Sequence, residues 1–137
     1  MLKKLVRTIV AMFENSTTQA QKIGSMGEDV ATKYLKQKGY KILHRNFKSR
    51  RNEIDIICTT EDVLVFVEVK TRTKTARVNG YFSAVGKRKK NAVRSCAKDY
   101  MAKLKHKPKT WRFDAIEVNY LPEKLSDIDI HHYENVY

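Results

Sequence analysis

The chain has 137 residues, with 28 lysines and arginines against 15 aspartates and glutamates, giving a formal charge of +13 and a pI near 9.8. Its length and its 42% content of hydrophobic residues are typical of one globular domain. The composition excludes a membrane span, a disulfide scaffold and a disordered tail protein. Cys58 and Cys96 have neither metal-ligand spacing nor a disulfide framework, which favours a reducing compartment.

The positive charge is concentrated in one part of the chain. Residues 70–112 contain 15 basic side chains and 1 acidic one, whereas residues 61–69 and 113–137 are net acidic. A concentrated basic surface on a folded domain indicates a polyanionic partner, and nucleic acid is the usual case. A soluble cationic surface without a specific partner is the alternative at this point.

The N-terminal residues predict a short basic amphipathic helix. Leu2, Leu5, Ile9 and Met12 recur at helical spacing, and Arg7 interrupts the apolar run too early for a signal peptide. Such a helix can dock on its own domain, on a membrane surface or on nucleic acid, and the first of these is favoured. We therefore divide the chain into an extension, residues 1–20, and a domain, residues 21–137.

The rest of the chain alternates between helical and strand patterns. Ser16 and Gln19 have capping-box spacing, which predicts the start of a helix that ends at Gly39. The later predictions, in chain order, are strands at 40–47, 53–58 and 63–71, a helix at 83–105, a strand at 110–119 and a final strand in the IDIHHY run. The core order α-β-β-β-α-β predicts an α/β domain with a mixed sheet flanked by helices.

Acidic residues meet on the second and third strands. With a turn at residues 59–62, Glu53 faces Glu68, and Asp55 lies on the diagonal at about 7–8 Å. Alternation places Glu68 and Lys70 on the same strand face. Like charges so placed destabilise a hairpin unless a cation lies between them, and Mg²⁺ or Mn²⁺ prefers carboxylate oxygens. This pattern predicts metal-dependent phosphodiester cleavage, with Lys70 positioning the attacking water; a solvated face with cross-strand ion pairs is the alternative.

These residues resemble a known family. Asp55, Glu68, Val69 and Lys70 match the PD-(D/E)xK pattern of restriction-endonuclease-like nucleases, and the wider set is similar to the bacterial YraN family, a largely uncharacterised branch of that superfamily. The similar stretches are G-x-x-G-E-x-x-A-x-x-Y-L at 24–35, EIDII at 53–57, VFVEVKTR at 65–72, Arg112-Phe113-Asp114, and the closing His132, Asn135 and Tyr137. The family usually has Gly where this chain has Asn52, and residues 1–20 lie outside the resemblance.

The resemblance implies a restriction-endonuclease-like core and a nuclease of the bacterial cytoplasm that uses Mg²⁺ or Mn²⁺. It implies that Asp55 and Glu68 bind the metal with help from the Val69 carbonyl. Lys70 is then the catalytic lysine, and Glu28 is a further acid brought from the first helix of the domain.

Two more residues have open interpretations. Glu53 is either an acid that supports the metal ligands or the partner of a basic neighbour. Lys89 lies in line with the apolar stripe of the 83–105 helix, so its side chain either reaches the site or extends its charged tip into solvent.

The basic block predicts contacts with nucleic-acid phosphates, DNA being favoured over RNA. The residues chosen for this role are Arg72, Lys74, Lys87, Arg88 and Lys90. Trp111 and Phe113 could stack on bases, but in an alternating strand we expect both in the core.

Other hypotheses remain open beside the nuclease. One is a catalytically silent nucleic-acid-binding module on the same fold, and another is membrane association through the N-terminal helix without stable insertion. A homodimer is possible only by analogy with junction-cutting nucleases of this fold.

Overall fold

A computed structural model describes residues 2–13, 19–75 and 86–137, which form three helices and five strands. The helices are α1 (Leu2–Phe13), α2 (Gln19–Gln37) and α3 (Lys87–Ala102). The strands are β1 (Lys41–Ser49), β2 (Asn52–Thr60), β3 (Val63–Thr73), β4 (Thr110–Leu121) and β5 (Lys124–Tyr133). The predicted α/β class and the predicted element order are confirmed. Ser16 and residues 83–85 of the predicted elements lie outside the described residues.

The five strands form one mixed sheet in the order β1-β2-β3-β4-β5. Neighbouring strands are antiparallel except β3 and β4, which are parallel. The chain passes from β3 to β4 through α3, because a parallel connection needs a crossover segment. Helices therefore cover the sheet, as in the restriction-endonuclease-like arrangement that was predicted.

Alternation along β3 produces two apolar cores. Val65 and Val67 are fully buried in a core with side chains of α1 and α2, whereas Leu64 and Phe66 pack in a second core with Val93 of α3. Successive side chains of a strand point to opposite faces, so the run VLVFV is buried on both sides. The predicted division of β3 into two faces is confirmed.

The turn between β2 and β3 is shorter than predicted. Thr60 pairs with Val63, which leaves only Glu61 and Asp62 in the turn, with φ of 47° and 67°. Two positive φ values characterise the type I′ turn, whose twist suits a two-residue hairpin.

This turn shifts the register by two residues from the predicted one. Cys58 pairs with Val65, whereas the predicted turn at residues 59–62 would have placed it opposite Val63. The paired ladder stops at Ile56 and Val67. Continued by one residue, the observed register places Asp55, not Glu53, opposite Glu68. The predicted diagonal placement of Asp55 relative to Glu68 is therefore wrong.

The N-terminal helix packs on the domain. Val6, Ile9 and Val10 are buried in the same core as α2, and α1 also contacts β5. The predicted stripe is offset, because Met12 is 71% exposed. Docking on the domain, the favoured alternative, is confirmed. Within the described ranges, none of the helices is long and apolar enough to cross a membrane.

The helix α3 is shorter at both ends than the predicted 83–105. Gly86 has extended backbone angles, so the helix begins at Lys87. At the other end the Lys107 ammonium donates hydrogen bonds of 2.8–3.0 Å to the carbonyls of Met101, Ala102 and Leu104. A lysine that satisfies terminal carbonyls stabilises a helix end, which explains why the helix stops at Ala102.

Candidate active site

Three carboxylates converge where β2 and β3 stop pairing. Glu28 of α2 and Glu53 and Asp55 of β2 each offer an oxygen within 4.8 Å of the others. We call these three residues the acidic cluster. All its donors are hard carboxylate oxygens, the ligands preferred by Mg²⁺ and Mn²⁺, so the donor set fits the metal that the resemblance implies.

A glycine allows α2 to bring Glu28 to this position. A Cβ atom built on Gly27 would lie 1.8 Å from the Thr71 Oγ1 atom of β3, so any larger residue here collides with the strand. The adjoining Met26 and Val30 are buried and fix the helix on the sheet. Glu28 follows Gly27 directly and is therefore held where α2 packs closely on β3.

Asp55 is partly buried and is held by the neighbouring strand. Its Oδ2 atom accepts a 2.8 Å hydrogen bond from the backbone N–H of Val69. Burial raises the pKa of Asp55 to about 6, and the charges of Glu28, Glu68 and Glu53 add to the shift against the lowering effect of the Val69 hydrogen bond. A carboxyl that is costly to ionise beside other acids favours a bound cation. Val69 thus contacts Asp55 through its N–H, and the predicted role of its carbonyl stays a prediction.

Arg45 of β1 neutralises part of the acidic cluster. Its Nη1 atom lies 2.7 Å from Asp29 Oδ1, and its Nη2 atom lies 3.7 Å from Glu28 Oε2. Burial raises the pKa of Glu28, while the Arg45 charge and the Asn46 hydrogen bond oppose that rise. Arg45 is therefore anchored mainly on Asp29 and offsets part of the charge of Glu28.

Asn46 joins two members of the acidic cluster. With its amide oriented to donate, Asn46 Nδ2 lies 2.9 Å from Glu53 Oε1 and 3.1 Å from Glu28 Oε2. The residue has φ of 54°, in the left-handed region that asparagine tolerates better than most residues. Sequence reasoning missed Asn46 and Arg45; the available signal was an asparagine inside a strand pattern, where it is disfavoured.

Glu68 lies beside the acidic cluster and pairs with a lysine of α3. Lys89 Nζ is 3.2 Å from Glu68 Oε1, and the Tyr137 hydroxyl donates a 3.5 Å hydrogen bond to Glu68 Oε2. A pocket of about 290 Å³ is lined by Glu53, Asp55, Glu68 and Lys89. The Lys89 side chain thus reaches Glu68 while remaining 54% exposed, and its role in the predicted site stays a prediction.

Lys70 occupies a different position from Lys89. It is exposed, and it lines a second pocket with Glu28 and Val69, between α2 and the end of β3. The two lysines therefore approach the acidic residues through different pockets.

The predicted phosphate contacts divide into two groups. Arg72 is mostly buried, 3.9 Å from Glu117, and Lys74 lies 2.7 Å from Asp127 and 3.3 Å from Asp129. Phosphate binding by these two residues would compete with ion pairs within the sheet. The others lie on the first turn of α3: Lys87 and Arg88 are exposed, and Lys90 lies 5.7 Å from the Tyr137 ring centroid.

A buried network joins β4 to the C-terminal segment, and it is formed by residues that also carry the family resemblance. Asp114 is fully buried and accepts hydrogen bonds from Arg112 Nε at 3.0 Å and the Asn135 N–H at 3.0 Å, and its Oδ2 lies 2.8 Å from His132 Nε2. Burial alone would raise the pKa of Asp114, but these contacts outweigh burial and leave the pKa below its ordinary value. The network ties β5 and the C-terminal segment to β4.

The prediction that Trp111 lies in the core is wrong, whereas the same prediction for Phe113 is confirmed. Phe113 is 7% exposed and Trp111 is 47% exposed. Both face the α3 side by strand alternation, but Trp111 lies nearer the start of β4, where α3 has already ended.

Comparison with known proteins places the chain in a family. The sequence model of the uncharacterised protein family UPF0102 matches residues 27–118. The chain belongs to this family. The matched range contains the acidic cluster, Glu68, Lys70 and Lys89. UPF0102 is the YraN family, so the resemblance stated from the motifs is confirmed.

Several UPF0102 proteins are similar over most of their length. That of Caldanaerobacter subterraneus subsp. tengcongensis is 42% identical over 115 residues, covering 84% of this chain and 93% of the relative. That of Alkaliphilus oremlandii is 40% identical over 119 residues, covering 85% and 98%. That of Chlorobaculum parvum is 42% identical over 114 residues, covering 83% and 86%.

Proposed function

We propose that this UPF0102 protein is a metal-dependent nuclease that hydrolyses phosphodiester bonds in nucleic acid. The observation that supports this most directly is the convergence of Glu28, Glu53 and Asp55 within 4.8 Å, beside the basic helix α3. Acidic groups next to a strongly basic surface suit a substrate whose phosphates are bound by lysines while its reacting phosphate lies near a cation.

Asp55 and Glu28 would hold Mg²⁺ or Mn²⁺, with Glu53 and Glu68 as neighbouring acids. In this proposal Glu28 takes the place of Glu68, the ligand that the resemblance implies, because Glu68 pairs with Lys89. When bound, such an ion lowers the pKa of a coordinated water and polarises a phosphoryl oxygen. The protein orients its own carboxylates for this purpose. The Val69 N–H fixes Asp55, and the Asn46 amide joins Glu28 to Glu53.

The two lysines have separate roles in the proposal. Lys70 positions the attacking water from the pocket that it shares with Glu28. Lys89 exchanges its ion pair with Glu68 for a non-bridging phosphate oxygen when substrate enters. Lys87, Arg88 and Lys90 on the same turn of α3 bind flanking phosphates without reading sequence.

A second candidate function is a nucleic-acid-binding module without turnover. The ion pairs of Arg45 with Glu28 and of Lys89 with Glu68 favour this candidate, because they compensate two carboxylates without a metal. The two candidates share the basic surface and differ only in whether the acidic cluster binds a cation and supports hydrolysis.

A cleavage assay separates the two candidates. End-labelled single-stranded, duplex, flapped and branched DNA, and matched RNA, are incubated with Mg²⁺, Mn²⁺ or a chelator. The nuclease proposal predicts metal-dependent cleavage by the wild type, loss of cleavage in Asp55→Asn, and full cleavage in the control Asp62→Asn, whose carboxyl lies in the exposed β2–β3 turn. Failure of the wild type to cut any substrate supports the silent module, and an active Asp55→Asn variant contradicts the assigned site.

A further inference from the structure

Trp111 is the only tryptophan in the sequence, and its side chain lies at the surface. It is 47% exposed near the start of β4, although large aromatic side chains are usually well buried. A shallow groove of about 340 Å³ adjoins it, lined by Lys98, Met101, Ala102, Lys107, Pro108 and Trp111. The indole and the apolar parts of Met101 and Ala102 thus form a flat surface with lysines at its edge.

The end of α3 explains why the indole is uncovered. Phe113, two residues further along β4, is buried and stacks on Phe66 with ring centroids 5.4 Å apart. The helix stops at Ala102, where Lys107 donates to its terminal carbonyls, so its last turn reaches only the rim of Trp111. The exposure follows from where the helix ends.

The charge around the groove indicates the chemistry of its occupant. Residues 86–112 contain 11 basic side chains and 1 acidic one, and Lys98, Lys105 and Lys109 near the groove are exposed. The occupant must combine a negative charge with a flat apolar face. The bases and phosphates of an unpaired nucleic-acid strand have both properties, and aromatic side chains beside lysines are how single-strand-binding proteins hold them.

We propose that Trp111 and the C-terminal end of α3 form a stacking site for a base of single-stranded nucleic acid. The biological role of this site rests on the proposed nuclease function. The binding itself requires neither a metal nor cleavage. Lys89 and Ala102 are 13 residues apart on α3, about 20 Å at the rise of an α-helix. The stacked base would therefore lie several nucleotides along the strand from the phosphate bound near Lys89.

Tryptophan fluorescence tests this proposal directly, because Trp111 is the only indole in the chain. The full chain is titrated, in chelator, with a thymidine oligonucleotide of about 12 nucleotides and separately with a duplex of equal length. The expected result is quenching by the single strand and little quenching by the duplex. Quenching by both to the same extent, or by neither, overturns the proposal without any variant.

Binding of a fluorescently labelled single strand to variants gives a second readout. Trp111→Ala is expected to weaken binding about 5- to 150-fold, the range for loss of one base–aromatic stack. Trp111→Phe retains a ring and is expected to keep most of the affinity. Leu43→Ala, which removes another exposed apolar side chain, is the matched control and should bind as the wild type does. Unchanged binding by Trp111→Ala overturns the proposal.

The two proposals fail separately in these experiments. Asp55→Asn should bind the single strand as tightly as the wild type in chelator. A wild-type protein that is quenched by the single strand but cuts no substrate contradicts only the nuclease. Cleavage with unchanged binding in Trp111→Ala contradicts only the stacking site. If circular dichroism shows that Trp111→Ala is unfolded, the Trp111→Phe variant and wild-type quenching decide the question. Stacking is supported if Trp111→Phe loses no more than about twofold in affinity and if only the single strand quenches the wild type.

Discussion

The ammonium of Lys89 lies 3.2 Å from the Glu68 carboxylate, so an ion pair joins the first turn of α3 to β3 at the edge of the acidic cluster. Glu68 is the acid of the E-V-K triplet, and its partner comes from a distant part of the chain. Lys70, the lysine of the same triplet, is exposed and lines the neighbouring pocket. The basic helix therefore contributes to the site itself as well as to the surface around it.

Lys89→Ala is expected to lower the cleavage rate by about 100-fold, the loss typical of removing one group that stabilises developing charge. The decrease should occur mainly in kcat, and Lys89→Arg should recover part of it. Lys87→Ala, on the same turn but outside the pocket that Lys89 lines with Glu68, should instead weaken substrate binding and reduce its salt dependence. Steady-state kinetics at several salt concentrations distinguish the two, and full activity in Lys89→Ala would exclude it from the site.

Lys70→Ala should lower kcat while leaving the affinity for metal and for substrate near that of the wild type. The reason is that Lys70 acts on the attacking water in the proposal, whereas the acidic cluster binds the cation. Single-turnover cleavage combined with binding in chelator measures both quantities. A tenfold loss of substrate affinity with unchanged kcat would assign Lys70 to phosphate binding instead.

Asp55 makes the stability of the metal-free protein depend on pH. Its pKa is raised from 3.8 to about 6 in the folded state, chiefly by burial, so the folded state favours the neutral carboxyl. The free energy of unfolding should therefore decrease as pH rises from about 4 to about 6.5, by about 2–3 kcal/mol for a shift of this size. Asp55→Asn should lack this decrease. Urea unfolding of both proteins between these pH values provides the measurement.

Two controls accompany this pH series. Asp62→Asn, in the exposed turn, should follow the wild-type curve. Adding Mg²⁺ above pH 7 should restore stability to the wild type and not to Asp55→Asn, because a ligand that binds only the folded state stabilises it. Parallel curves for wild type and Asp55→Asn across the series would contradict the raised pKa.

Gly27→Ala is expected to destabilise the protein by about 1–3 kcal/mol, the usual cost of overpacking. Its Cβ atom would collide with Thr71 Oγ1, so α2 must move away from β3 and take Glu28 with it. Gly24→Ala is the matched control on the same helix. Nothing lies within 4 Å of its added Cβ atom, so it should stabilise the helix by about 0.5–1 kcal/mol. Chemical unfolding of both variants is the measurement, and equal stability of the two would contradict the close approach.

Arg112→Met should destabilise the protein by about 3–5 kcal/mol, because it leaves the fully buried Asp114 without its cationic partner. Arg50→Met removes an exposed arginine that lies 3.7 Å from Asp99, and its stability should change by no more than about 0.5 kcal/mol. Guanidinium unfolding midpoints compare the two. A small loss in Arg112→Met would mean that His132 and the Asn135 N–H suffice to hold Asp114.

The fold was largely predictable because apolar periodicity is strong in this chain. The VLVFV run of β3 requires burial on both faces, and Val65 and Phe66 indeed lie in separate cores. The register was not predictable in the same way. It depends on positive φ at Glu61 and Asp62, two residues whose types do not mark a two-residue turn.

The candidate site was predictable only in part. The spacing of acidic residues within β2 and β3 predicted that Asp55 and Glu68 belong to the site. Helical periodicity allowed the Lys89 side chain to reach the site but did not require it. An asparagine inside a strand pattern marked Asn46 as unusual, but the contacts of Arg45 and Asn46 with Glu28 depend on how β1 and α2 meet in three dimensions.

We propose that the acidic cluster binds one divalent cation, and anomalous diffraction from crystals soaked in Mn²⁺ above pH 7 would detect that ion. At that pH Asp55 is largely ionised. The predicted result is one anomalous peak about 2 Å from carboxylate oxygens of Asp55 and Glu28, absent in Asp55→Asn crystals. Crystals that bind Mn²⁺ only at other places, or that show no peak at the acidic cluster, would contradict the claim.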